Sequence, residues 1–138
     1  MSEVQLMELS RTECLALLAT ARIGRLVFTA HALPAAHPVR YFLDDEEVIF
    51  RTGADSLLVA AAHHRVVAFQ TDSIDGTHHT GWSVCGVGEA YEVVDPRRLV
   101  EINALAPAMW APHVSAHTVC IPLQQLTGHQ LVLTSGIS

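Results

Sequence analysis

At 138 residues the chain fits a single domain spanning residues 1–138, large enough to bury a core of its own. Half of the residues are apolar and only 16% are charged, which predicts a compact unit with part of its surface covered by a second copy. A net charge of −6, with eight arginines and no lysine, argues against nucleic acid or an anionic membrane as the main partner, so any anionic ligand has to be gripped by particular arginines.

Residues 1–7 carry acidic and polar side chains where a secretory signal would have an apolar run, and no stretch reaches membrane-spanning length. Cys14, Cys85 and Cys120 form no close pair and leave one over, which disfavours structural zinc and a disulfide framework. A cytoplasmic protein with reduced thiols is expected.

Residues 8–20 predict a helix. Ser10 with Glu13 three positions on makes a capping box, and Leu9, Leu17 and Leu18 share an apolar face with Cys14 at its edge. Gly24 interrupts a β-rich run over 23–29, in which Leu26 and Phe28 fall on one face. A turn over 30–34, a strand over 35–43, a turn at Asp44-Asp45 and a strand over 47–52 continue an antiparallel meander. Ser56 caps an alanine-rich helix over 56–64. Residues 65–71 read as a strand buried on both faces, on the strength of Val66-Val67-Ala68-Phe69, and 72–79 as a loop.

The long strand over 82–94 is broken by Gly86 and Gly88, which predicts a bulge or tight bend. Asp95 as N-cap and Pro96 at the first helical position open a second helix that runs to about residue 105. Residues 107–115, with Trp110, read as irregular. Strands over 117–123 and 130–133 close the sheet, with Thr127-Gly128 at a turn or kink between them. The expected fold class is α+β: an antiparallel, Greek-key-like split β-barrel with a few flanking helices.

The stretch from Val48 to Ser56 carries the chemistry. A buried strand runs out through Arg51 and Thr52 into a turn with Gly53 and Asp55, and a serine follows at a helix start. A guanidinium, two hydroxyls and free helix N–H groups converging there would bind an anion. Spacing alone better describes a strand-to-helix connection with an exposed arginine, because no Walker-type fingerprint accompanies it.

The ordered set Ile23-Gly24-Arg25-Leu26, Pro38-Val39-Arg40-Tyr41, Phe50-Arg51-Thr52-Gly53, Thr80-Gly81-Trp82-Ser83-Val84 and Ile121-Pro122-Leu123 resembles the pyridoxamine 5′-phosphate oxidase-like family of flavin-binding split barrels, over roughly residues 8–133. The resemblance implies that Arg51, Thr52 and Ser56 grip the phosphate of FMN. Leu57 and Leu58 stand where the family usually places a basic residue. The strand carrying Pro38, Val39, Arg40 and Tyr41 would lie near the isoalloxazine. On it Pro38, Arg40 and Phe42 point one way and His37, Val39 and Tyr41 the other. Arg40 then contacts the ring or the phosphate, stands exposed, or fills the groove and excludes flavin. Trp82 and Ser83 would line the pocket of the partner subunit, Trp82 flanking the ring and Ser83 hydrogen-bonding it, while ordinary packing is the other reading of Trp82.

The implied protein is a homodimeric FMN-dependent oxidoreductase that passes hydride or electrons to a small-molecule substrate. The alternatives are a deazaflavin-dependent reductase, a flavin-binding module without turnover, and a cofactor-free barrel. Oxidation of pyridoxamine phosphate itself is not expected, since no arginine-bearing segment follows Leu133. No residue stands out as a general acid or base. The nine histidines form no metal motif, no single one is marked as a haem ligand, and none of the cysteines has a basic neighbour to activate it.

Overall fold

The computed structural model describes residues 2–53, 65–105 and 117–135. In chain order these form β1 (Ser2–Glu8), α1 (Arg11–Thr20), β2 (Ile23–Ala30), β3 (Leu33–Asp44), β4 (Glu47–Thr52), β5 (Arg65–Asp75), β6 (Thr80–Glu92), α2 (Pro96–Leu105), β7 (His117–Pro122) and β8 (Gln125–Ser135). The sheet order is β1-β8-β6-β5-β2-β3-β4-β7, and β7 pairs back onto β6. Six antiparallel strands therefore close a barrel, with β8 and β1 continuing from β6 as an extension. This is the α+β split barrel expected from the sequence. No helix among the described residues is long and apolar enough to cross a membrane.

Period-two alternation builds the barrel. Leu26 and Phe28, Tyr41, Val48 and Phe50, Val67 and Phe69, Val84, Val119 and Ile121 all point inward and are at most 5% exposed. Fully burying an aliphatic or aromatic side chain of this kind contributes about 1.5–3 kcal/mol, so the inward face supplies most of the stability. Phe69 lies edge-on to Tyr41, with ring centroids 4.6 Å apart, and covers Gly24, where any Cβ would strike the Phe69 ring. Helix α1 plugs one end. Ser10 and Glu13 close the capping box from both sides at 3.1 and 3.0 Å, and Cys14 and Leu18 are fully buried. The Tyr41 hydroxyl donates to the Leu18 carbonyl at 2.6 Å, which ties plug to barrel.

A second, smaller core sits on the outside. Asp95 accepts from the Arg97 N–H at 3.0 Å, as its N-cap role requires. Helix α2 lays Ile102 against Ile49 of β4, Cys120 of β7 and Val93 just beyond β6.

Several expectations are corrected. β1 was not anticipated; it pairs over its whole length with β8. Strands β2 and β3 are longer than expected and meet in a tight turn at His31 and Ala32, both in the left-handed region at φ 52° and 62°. β5 is buried on one face only, with Val66 69% exposed, because no layer covers the barrel there. Cys14 is central rather than marginal. Gly128 is no turn: it lies inside β8, buried against Cys14 and Val84, where a Cβ would meet the Cys14 Sγ at 2.5 Å. The bend expected at Gly86 and Gly88 is a close crossing, since a Cβ on Gly88 would overlap the Pro122 carbonyl oxygen. The helix expected over 56–64, with Ser56, Leu57 and Leu58, and the stretch 107–115 with Trp110 lie outside the described residues.

Candidate functional site

Strand pairing brings the outward-facing candidates to one level. Tyr41 pairs with Phe50, so Arg40 and Arg51 follow as neighbours on adjacent antiparallel strands. Ile23 pairs with Arg40. Arg25 pairs with Gln70, which carries Ile23 to the level of Asp72. Asp72 pairs with Ser83, and Ser83 with His129. The result is a row across the outer surface: Arg51, Arg40, Ile23, Asp72, Ser83, His129. At about 4.8 Å per strand, Arg51 and Ser83 stand roughly 19 Å apart along the sheet. No single phosphate reaches both.

The two ends of the row differ. At the β3–β4 end, Arg40 is exposed and has no ion-pair partner among the described residues. Beside it the Arg51 Nη2 donates to the Oδ1 of Asn103 on α2. Like charges on adjacent strands repel, so this end favours an anion. At the β5–β6 end the polar groups hold one another. Arg25 donates to Gln70 at 2.9 Å, and Gln70 Nε2 donates to Asp72 at 2.7 Å and to Ser83 Oγ at 3.2 Å. Because Ser83 accepts from Gln70, its own O–H remains available to donate. Ile23, 62% exposed, is an apolar step between the two ends.

The other predicted residues face elsewhere. Val39 and Tyr41 are buried in the barrel, and Thr52 is 8% exposed on the same inner side. Only their backbone can reach an outer ligand. Pro38 is exposed on the Arg40 side. Trp82 points away from Ser83 and lines a separate groove of about 280 Å³ with Leu9, Leu17 and Gln130, beside α1. A convergence of Arg51 with Thr52, or of Trp82 with Ser83, within one protomer is excluded by strand alternation. Ser56 lies outside the described residues.

A larger cleft, about 490 Å³, lies at the hairpin end of β3 and β4 and contains none of the predicted residues. Its arginines are engaged, Arg11 with Glu46 at 2.9 Å and Arg98 with Asp44 at 2.7 Å. The Asp44 hydrogen bond holds the Arg98 guanidinium more firmly protonated than usual.

None of the thiols is activated. Burial pushes the Cys120 thiol up to about 11 and raises those of Cys14 and Cys85. Burial also lifts Tyr41 to about 12 and raises Tyr91, which donates to Glu47 at 3.2 Å. His78 and His117 pair with Asp75 and Glu92 at 2.6 and 2.7 Å. Among the described residues no group of three or more His, Cys, Asp or Glu side chains is placed to hold a metal ion. Sequence reasoning missed Asn103, Gln70 and Asp72. Gln70 and Asp72 were legible as outward positions of β5, two residues apart; Asn103 carried no signal.

Residues 10–130 match the profile of the family described as pyridoxamine 5′-phosphate oxidase. An uncharacterized protein of Mycobacterium tuberculosis is 35% identical over 136 residues, covering 95% of this chain and 89% of its own. Among solved structures, the FAD binding protein from Mycobacterium smegmatis superposes with a TM-score of 0.76 at 33% identity, covering 89% of this chain and 95% of its own. A conserved protein of unknown function from Corynebacterium diphtheriae gives 0.77 at 28% identity, covering 94% and 98%.

Proposed function

The chain belongs to the pyridoxamine 5′-phosphate oxidase family, and we propose that it is a flavin-binding oxidoreductase within it. The observation that carries this reading is that Arg40 and Arg51, each one residue beyond the Tyr41–Phe50 pair, lie on the outward side of β3 and β4. Two guanidiniums on the same outward side suit a phosphate-bearing ligand. The similar mycobacterial structure binds FAD, which supports a flavin as that ligand, either FMN or FAD. Arg51 and Arg40 would hold the phosphate, Ile23 and Pro38 would lie under the ring, and the O–H of Ser83 would donate to a ring heteroatom.

The working unit is a homodimer with two pockets. Each is made from residues 38–57 of one protomer and 82–84 of the other, whose strand presents Ser83 to the ring while Trp82, on its opposite face, packs beside α1. A bound flavin supplies hydride or one-electron transfer to a small-molecule substrate. The chain's own residues bind it, orient it and exclude water.

A flavin-binding module without turnover is the second reading. The raised thiols and tyrosines favour it, since none is tuned for proton transfer near neutral pH. One experiment separates the readings. The purified protein is soaked in FMN, FAD or a deazaflavin and desalted, and its visible absorbance is recorded before and after adding a nicotinamide donor. A retained flavin band that bleaches supports the oxidoreductase. A band that persists selects the module, and no band rejects both. Arg40→Ala and Arg51→Ala should each weaken FMN binding; Arg40→Ala with unchanged affinity would remove Arg40 from the site.

A further inference from the structure

We propose that Asn103 is a positioning residue that aims Arg51 at the ligand phosphate; the assignment rests on the flavin-binding reading above. Arg51 is the last outward-facing residue of β4, its Nε is buried, and an arginine side chain has several staggered rotamers to choose from. Its Nη2 donates to the Asn103 Oδ1, which selects one of them. The amide oxygen is a neutral acceptor: it fixes the plane of the guanidinium and brings no negative charge of its own.

Asn103 can serve in this way because α2 is itself held. Five residues earlier, Arg98 bonds Asp44 at 2.7 Å at the hairpin end of β3. Between the two, Ile102 is fully buried against Ile49 and Cys120. The helix thus grips the β3–β4 pair at two levels, one structural and one at the anion end of the row. Asn103 is exposed, so replacing it leaves this packing in place.

The test compares FMN with riboflavin, which lacks the phosphate, by quenching of flavin fluorescence. Wild type is expected to prefer FMN. Asn103→Ala should lose about tenfold in FMN affinity with riboflavin unchanged, the size of one charge-assisted contact. Asn103→Asp places a carboxylate beside Arg51 and should lose more, with part of the loss recovered as salt screens the new pair. If the wild type prefers FMN and both variants keep that preference, the role of Asn103 is overturned while the flavin reading stands. Equal losses for FMN and riboflavin would reduce Asn103 to helix packing. A wild type that binds both alike overturns the phosphate role of Arg51 and Asn103 while the flavin reading stands, and one that binds neither overturns both readings together.

Discussion

The two faces of the same strands live under different rules. Inward, Tyr41, Phe50 and Phe69 are sealed from water, and the one buried hydroxyl among them is satisfied by the Leu18 carbonyl. Outward, one residue along from each, stand Arg40, which is exposed, and Arg51 and Gln70, which are half-covered and held by side-chain hydrogen bonds. The inner face has a single solution fixed by volume. The outer face keeps polar groups whose best partner at the β3–β4 end is an anion. The main core lies on one side of the barrel wall and the proposed recognition surface on the other, so substitutions on the two sides should fail in different assays.

The largest expected effect tests closure of the inner face. Gly88→Ala drives a methyl into the Pro122 carbonyl at the β6–β7 crossing, and should cost about 3 kcal/mol in denaturant unfolding. A near-neutral result would mean that the barrel is not closed there. Next comes Arg51→Ala, expected to lower FMN affinity by roughly tenfold to a hundredfold with the unfolding midpoint unmoved. A protein that lost stability instead would place Arg51 with the inner set.

Tyr41→Phe should cost about 1–2 kcal/mol by orphaning the Leu18 carbonyl. It carries a signature in pH as well. Tyr41 is lifted from 10 to about 12 in the folded state, so the unfolded chain loses its proton first. Stability is full below about pH 10 and falls as pH rises toward 12. Cys120, raised from 9 to about 11, begins the same fall lower down. Urea titrations at rising pH should show Tyr41→Phe flattening only the upper part of the decline. The smallest effect belongs to Arg25→Ala, whose exposed pairing with Asp72 at 3.5 Å is worth well under about 1 kcal/mol. A larger loss would mean that the Gln70 network braces the sheet rather than facing a ligand.

Much of this was readable from residue order. Ser10 with Glu13 and Asp95 with Pro96 marked both described helices, because capping is local chemistry. Alternation marked β2 through β6 for the same reason. Alternation also implied what the convergent readings overlooked: neighbours on a strand diverge, so Arg51 and Thr52, like Trp82 and Ser83, could not share a face in one protomer. What was not legible is what depends on distant partners. β1 leaves Leu6 65% and Met7 54% exposed on opposite faces, so it has no one-sided pattern to betray it. Gly128 looked like a turn because the reason for its missing side chain, the Cys14 sulfur, lies on α1. Asn103 meets Arg51 only after α2 has docked.

The pairing of β1 with β8 has a consequence for biogenesis. Glu8 finds its partner in His129, and Ser2 in Ser135. During vectorial synthesis β1 leaves the ribosome well before β8, and it must wait for that strand to follow. Over that interval a strand with Val4, Leu6 and Met7 uncovered is available to trigger factor-like holdases or to another nascent copy on the same polysome. Yield of native protein should therefore depend on translation speed and on holdase supply more than the stability of the finished barrel would suggest.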